Sequence, residues 1–476
     1  MIVMINPPYL NTKLTNYITF KQAPYLNPAI ALFAGLYHDK GIPYLCIDAK
    51  LDNLAYGDII TKIQNNTSIE DITFIGITIS TSTAAHDDFD FVTFIKNEFP
   101  DIPIVVGGPH VTALPNDSLK TCRGVDIVVR YNGLLPLLDI YDYFTSQNKI
   151  KSLSDIPGIV FRGDKNKVVA NAICQRTTDY VGSLTRPRWE DFSQASTYYV
   201  FSALGCPHRC SYCFNETNFL YGKKPVDMII DELNLLINKF KMTNFTFSDP
   251  TFAVDKIHAK EVLQRMIDEG ISEKVKWDCW TRVTVPDQEF CYLMKKAGCK
   301  LISLGVESGS NEVLRRANKG INTDQIAQGV KIVKESGIRC EFFLVFGQIG
   351  ETAEDIRKTI DMAVNLNPHV VKVGIMTPWP GTEAYKLALN KKEGLELTTT
   401  TDYSKFDKYF GESLIHKNID LDELEMLRIS MYLQLYLKNN RYLELIHFAW
   451  KMRYGILRKS FSLIKKTYFK TLRKRL

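Results

Sequence analysis

Gly205-Cys206-Pro207-His208-Arg209-Cys210-Ser211-Tyr212-Cys213 is the stretch that decides how this 476-residue chain is read. The cysteines stand at CxxxCxxC spacing, directly after an apolar run, residues 199–204, that reads as a buried strand. Three thiolates on one loop can hold three irons of a 4Fe–4S cluster and leave the fourth iron open to a small ligand. Cys206, Cys210 and Cys213 are therefore the candidate metal ligands and the seat of catalysis, with the aromatic Tyr212 beside the last of them. The competing reading is a structural zinc site. Zinc normally takes four closed ligands, usually as two CxxC-type pairs, and no partner pair is visible in the chain.

Around and after the triplet, over residues 196–390, strand and helix signals alternate six times. Strands read at 198–204, 245–249, 275–281, 301–306, 341–346 and 370–376. The helix after the cysteine loop is the clearest. Pro225 stands near its start, and Val226, Ile229, Ile230, Leu233, Leu236, Ile237 and Phe240 recur at helical spacing. Six parallel βα units predict an open (β/α)6 barrel, whose chemistry sits at the C-terminal strand ends. Those ends carry distinctive residues: Ser248 and Asp249, then Arg282, then Glu307 and Ser308, then Gly347-Gln348-Ile349-Gly350-Glu351. Read alone, Arg282 and Glu307 could simply pair across the barrel mouth, and Gly347 and Gly350 could serve only a turn.

Upstream, residues 1–145 also alternate strand and helix. Strand-like runs at 2–5, 44–47, 74–79, 104–106 and 127–129 are separated by helical stretches such as 29–40 and 84–97. This implies a Rossmann-like, doubly wound parallel sheet, with ligands at the carboxyl ends of the strands. The turns there read Asn6-Pro7-Pro8-Tyr9, Ser80-Thr81-Ser82-Thr83 and Gly107-Gly108-Pro109-His110. Paired glycines let a ligand approach the backbone closely, although a tight turn alone would also use them. Residues 146–195 read as a connector with a turn and short strand at 156–163, and Arg186-Pro187-Arg188 leads into the barrel.

Together these features resemble the class B family of radical S-adenosylmethionine (radical SAM) enzymes, which carry an N-terminal cobalamin-binding domain. The resemblance rests on the CxxxCxxC triplet, the opening I-N-P-P, the I-G-I-T-I-S strand end, residues 101–115 (D-I-P-I-V-V-G-G-P-H-V-T-A-L-P) and the following V-D-I-V-V-R, and it spans about residues 1–390. It implies three cofactors: a 4Fe–4S cluster, S-adenosylmethionine (SAM) on the open iron, and cobalamin. One electron, from a donor such as flavodoxin or ferredoxin, would cleave SAM to methionine and a 5′-deoxyadenosyl radical. By the same resemblance Tyr212, Ser248, Arg282, Glu307, Ser308 and Gln348 attend SAM. Glu307 and Ser308 suit its ribose hydroxyls, and Arg282 suits its carboxylate. Asn6, Tyr9, Ser80, Thr81, Gly107, Gly108, Pro109 and His110 attend cobalamin. The chain also departs from the family. No Asp-x-His-x-x-Gly motif follows the first strand. His38 lies in a helix with Leu36 where the Asp would stand, so no histidine is placed below cobalt. Tyr131-Asn132-Gly133-Leu134 replaces a glycine–glutamate run, Leu204 replaces an Arg, and Gln348 and Ile349 replace Leu and Pro.

The implied reaction is C-methylation of an unactivated carbon on a small-molecule or lipid-like substrate. The alternatives are a cyclase or oxidative enzyme and a non-catalytic cobalamin-binding regulator. The other seven cysteines are scattered, which disfavours an auxiliary cluster and a disulfide scaffold and points to a reducing, cytoplasmic setting. No apolar stretch approaches the roughly 20 residues of a membrane span, and no secretory signal is visible. The last region, 391–476, is expected to be a helical extension. Its final 26 residues hold ten Lys or Arg and no acid; without them the net charge of +6 becomes −4. Leu457, Phe461, Ile464, Tyr468 and Leu472 form a stripe at helical spacing with basic residues on the other faces. That pattern suits a helix lying on an anionic membrane surface. A stripe packed on the chain's own core is the alternative, and nucleic acid the least favoured partner.

Overall fold

The computed structural model describes residues 1–8, 25–79, 81–145, 152–174, 185–214, 221–409 and 411–450. Tyr9, Ser80 and the basic segment 451–476 lie outside the described residues.

The first sheet has the strand order β2-β1-β3-β4-β5-β6-β7. β1 (Ile2–Asn6), β2 (Tyr44–Asp48), β3 (Phe74–Thr78), β4 (Ile104–Gly107) and β5 (Ile127–Val129) are parallel. β1, β3, β4 and β5 are almost wholly buried, as apolar runs covered by helices on both faces must be. Helices Pro28–Asp39 and Ala85–Glu98 fall within a residue of their expected positions. The order reverses between β1 and β3, so the crevice at the strand ends opens beside Asn6 and Thr78. Part of the stretch read as a connector joins this sheet: β6 (Ile159–Arg162) pairs antiparallel with β5, and β7 (Val168–Ala170) with β6. A short loop suffices for such hairpin pairing, whereas another parallel strand would need a crossover helix.

The second sheet runs β8-β11-β12-β13-β14-β15, all parallel and in chain order. Its strands are β8 (Tyr198–Val200), β11 (Asn244–Phe247), β12 (Lys276–Thr281), β13 (Cys299–Glu307), β14 (Arg339–Phe346) and β15 (Val370–Ile375). β8 and β15 are its two edges, so the barrel is open. The helix after the cysteine loop spans Val226–Phe240 and buries Ile229, Ile230, Leu233, Leu236 and Phe240. Capping boxes at Asn322/Gln325 and Thr352/Asp355 start two of the later helices.

The expected strand 198–204 is broken after Val200. The Ser202 amide donates to Asp249 Oδ1 at 2.7 Å, and its hydroxyl bonds the other carboxylate oxygen. That diverts the chain from the ladder into β9 (Ala203–Leu204), which pairs antiparallel with β10 (Gly222–Lys223). The cysteine loop is closed at its base by this pair.

Residues 391–450 combine strand and helix. β16 (Leu395–Leu397) and β17 (Leu414–His416) form an antiparallel pair. Helix Leu421–Lys438 sinks Leu424, Met431 and Leu435 into the barrel's own core. The connector is bound to both halves. Trp189 donates to buried Glu232 at 2.9 Å, Glu232 is paired with Lys224, and Tyr44 of β2 donates to Asp191 at 2.5 Å.

Candidate active site

Gly205, at φ +82°, turns the chain out of β9 into Cys206. The loop is then held by backbone bonds to the far side of the barrel. The Ser211 amide donates to the Ala317 carbonyl at 2.9 Å, and the Ala384 amide to the Ser211 carbonyl at 2.9 Å. Cys206 Sγ lies 3.5 Å from Thr251 Oγ1, and Arg282 Nη1 lies 4.0 Å from Cys210 Sγ. Cys213 is exposed as a residue, yet its thiol is pushed up to about 12, first by the protein packed around the sulfur and then by the charges of Cys210 and Cys206. The three cysteines share one loop, and none of them is in a disulfide. The donor set fits a 4Fe–4S cluster with one open iron.

Beside the sulfurs lies a buried polar knot. Lys319 Nζ sits 2.8 Å from Glu307 Oε1 and 3.4 Å from the Tyr212 hydroxyl. Arg282 bonds the Lys319 carbonyl. Lys319, Glu307 and Arg282 are each less than a tenth exposed. Glu307 adopts φ +68° beside a register shift between β13 and β14, a locally strained end to the strand. A Cβ on Gly305 would come within 2.8 Å of both Glu307 Oε1 and Lys319 Nζ, so any side chain there would displace the ends of the pair. The Tyr212 phenol is held well above its usual range by burial, then by the Glu307 charge.

The remaining residues expected around SAM are bonded within the barrel. Ser248 is half-buried, its amide bonded to the Val200 carbonyl at 2.9 Å. Ser308 is fully buried, its hydroxyl 3.2 Å from Thr359 Oγ1. Gln348 is 1% exposed; its Nε2 donates to the Glu307 and Val345 carbonyls, and its Oε1 has no hydrogen-bond partner. Glu351, buried below, accepts the Gly347 and Gln348 amides at 2.7 and 3.0 Å, and burial pushes its carboxyl up to about 8. The Lys319–Glu307 pair, Arg282 and the unpaired Gln348 oxygen gather polar groups of both charges at this end of the barrel, the chemistry a zwitterionic nucleoside would need.

At the first domain's strand ends, Asn6 is committed to structure. Its amide donates to Asp48 Oδ1 at 2.7 Å, and its carbonyl accepts Thr78 Oγ1 at 2.9 Å. Thr81 is exposed, and its hydroxyl accepts the Ala84 amide at 3.3 Å. Pro109 opens the short helix Pro109–Ala113. Gly108, at φ +123°, is required by its own backbone, because a Cβ there would collide with the Ile79 carbonyl. A Cβ on Gly107 would meet nothing nearer than the Val129 carbonyl at 3.8 Å, so Gly107 leaves room for a ligand. His110 is buried: Nδ1 lies 3.0 Å from Ser82 Oγ, and the ring packs on Tyr403 at 4.7 Å and Phe89 at 5.7 Å. Burial lowers its pKa to about 4, so the ring is neutral and enclosed.

The two sets of strand ends approach each other. A Cβ on Gly381, in the loop after β15, would lie 2.7 Å from the Phe214 ring and 3.1 Å from Ala113. The cysteine loop, the β15 loop and the helix after β4 therefore meet at one point. Sequence reasoning missed Lys319, the counter-ion of Glu307. It follows the short helix Asn311–Arg316, not a strand end, and carries no motif signal.

Fold and site thus define a partial-barrel protein with a three-cysteine loop at the barrel mouth, opposite a doubly wound sheet. Residues 200–363 match the radical SAM superfamily. Over 404 residues the chain is 27% identical to an uncharacterized methyltransferase of Pyrococcus horikoshii, covering 82% of this chain and 84% of that one. Over 427 residues it is 26% identical to the anaerobic magnesium-protoporphyrin IX monomethyl ester cyclase of Rubrivivax gelatinosus, covering 87% and 73%. Its fold is that of the radical S-adenosylmethionine methyltransferase TsrM from Kitasatospora setae, solved with cobalamin and a 4Fe–4S cluster bound. The TM-score is 0.69 at 17% identity, over 92% of this chain and 88% of that one. Residues 200–363 are thus similar to the radical SAM superfamily, and the whole chain shares the two-domain fold of TsrM.

Proposed function

We propose that this protein is a cobalamin-dependent radical SAM methyltransferase acting on an unactivated carbon of a small-molecule or lipid-like substrate. The observation that carries the reading is the three-cysteine loop at one end of the barrel, facing the strand ends of the first domain. Cluster and SAM together supply a carbon-centred radical when bound, and cobalamin supplies a methyl carrier. The chain's own residues bind and orient. Cys206, Cys210 and Cys213 hold the cluster, and Arg282 stands by the sulfurs. The Lys319–Glu307 pair presents one carboxylate oxygen and one ammonium to the ribose and methionine ends of SAM, while Tyr212 walls that site from water. Thr81 and Gly107 line the cobalamin side. His110, neutral and boxed in by Tyr403 and Phe89, gives cobalt no nitrogen. An electron donor such as flavodoxin or ferredoxin would serve the cluster, and the basic segment 451–476 would meet anionic membrane.

The similarity to a cyclase over 87% of the chain favours ring closure as the second reading. Mass spectrometry of small molecules and lipids from cells with and without the protein separates the two. Methylation predicts products heavier by one methyl group, and cyclisation predicts loss of hydrogens. Anaerobically reconstituted protein should hold about four irons per chain and yield 5′-deoxyadenosine from SAM and dithionite. Cys210→Ala should abolish both, whereas tight tetrahedral zinc without SAM cleavage would overturn the reading. The paramagnetic, reduced form of bound cobalamin should show no nitrogen hyperfine coupling.

A further inference from the structure

Among the described residues, exposed large apolar side chains gather in one place: seven of fifteen lie between residues 426 and 450. The helix at 442–450 has two apolar faces. Phe448 stacks on Tyr432 at 4.9 Å and reaches Tyr436 at 6.1 Å, which seats one face on helix Leu421–Lys438. The other face carries Leu443, Ile446 and Trp450, which are 81%, 65% and 61% exposed. At steps of three and four these form a single stripe. The same phase continues in sequence through Tyr454, Leu457, Phe461, Ile464, Tyr468 and Leu472. At 100° per residue, Leu443, Ile446 and Trp450 fall within an arc of about 60°. Ten basic and no acidic residues accompany this continuation. Within 439–450 the one carboxylate, Glu444, is paired with Arg441 at 3.1 Å. No helix among the described residues is long and apolar enough to cross a membrane.

We propose that the Leu443–Ile446–Trp450 face is the inserting edge of a docking surface for an anionic lipid bilayer. Apolar side chains enter the headgroup boundary while the basic residues that follow hold the anionic surface. The proposal deepens the reading of segment 451–476 as a membrane contact and rests on it for the electrostatic half only. Such seating would bring the enzyme to a lipid-like substrate at high local concentration.

The test is co-sedimentation of the full chain with vesicles of phosphatidylcholine, alone or mixed with phosphatidylglycerol, without SAM or electron donor. The unaltered chain should bind the mixed vesicles and leave them as salt rises. L443E/I446E should partition at least about tenfold more weakly, since each loses the transfer of one apolar side chain. K465Q/K466Q/K470Q should bind more weakly with a shallower salt dependence. Brominated acyl chains should quench part of the fluorescence, a part that W450F removes. All variants should cleave SAM normally in vesicle-free solution. If the glutamate variant fails to fold, L443S/I446S is measured instead. If L443E/I446E binds like the unaltered chain while K465Q/K466Q/K470Q does not, the tail alone docks and this inference falls. If neither the unaltered chain nor any variant binds, both readings of the membrane contact fall. Self-association or duplex DNA binding that L443E/I446E abolishes, without vesicle binding, would reassign the face and overturn the proposal.

Discussion

Lys319 and Glu307 set one buried charge against another beside the cysteine loop. Each is under a tenth exposed, and the ammonium lies 2.8 Å from the carboxylate. Removing one partner leaves an uncompensated buried charge, so Lys319→Met should cost about 3–5 kcal/mol of unfolding free energy. K319M/E307Q should recover much of that loss in urea titrations, and a strictly additive cycle would refute the coupling. Buried acids also set a pH dependence. Burial raises the Glu351 carboxyl from 4.5 to about 8, against the opposing amides of Gln348 and Gly347, and the Asp249 carboxyl from 3.8 to about 7, against Ser202. The folded state then keeps protons that the unfolded chain releases, so stability should fall as pH rises from 5 to 8. Glu351→Gln should flatten that fall by up to about 1.4 kcal/mol per pH unit. Parallel slopes for both proteins would disprove the assignment. The acids were visible in the sequence, but their burial was not, since neither Gly347-Gln348 nor Ser202 announces a carboxylate beneath it.

At the scale of elements, the glycines after β4 separate a folding requirement from a ligand requirement. Gly108→Ala should destabilise the protein whether or not cobalamin is present, because its Cβ would meet the Ile79 carbonyl at φ +123°. Gly107→Ala should fold normally and weaken cobalamin binding. Thermal denaturation with and without cobalamin distinguishes the two, and equal behaviour of the variants would refute the division. The pair Gly107-Gly108 was legible as a turn at a strand end. Which glycine answers to backbone and which to ligand depends on β3 running alongside, and that is a fact of packing. The same holds for the strand read at 198–204. Its apolar pattern is continuous, and only Asp249, delivered by the next strand, pulls Ser202 out of the ladder.

Over the whole molecule, the segment after β16 straps the two domains together. The Thr83 hydroxyl donates to the Phe406 carbonyl at 2.7 Å, His86 Nε2 lies 3.0 Å from the Thr401 carbonyl, and the Tyr403 hydroxyl donates to Asp117 at 3.1 Å. Tyr403 is 5% exposed and packs on Tyr385 and Phe406, so its ring couples the extension to His110. Tyr403→Ala should cost about 3–5 kcal/mol, the scale of a buried aromatic deletion, and split a single calorimetric transition into two. A single transition with an unchanged midpoint would show that the strap carries no coupling. Met431 and Leu435 likewise place helix Leu421–Lys438 inside the barrel core rather than outside it.

Legible in the chain alone were the three-cysteine loop, the parallel strands of both sheets and most strand limits. Three cysteines at fixed spacing, apolar runs of five or six and helical periodicity are local signals that survive without neighbours. Tertiary structure alone decided what those elements do to one another. It decided that Lys319 completes the Glu307 site, that Ser308 and Asn6 are bonded inward, and that part of the connector becomes two sheet strands. It also decided that the C-terminal region clamps the 347–351 loop, with His416 Nε2 2.8 Å from the Gln348 carbonyl. Each of these is a contact between residues far apart in the chain. Such contacts are set by which faces the core brings together, and no local pattern records that.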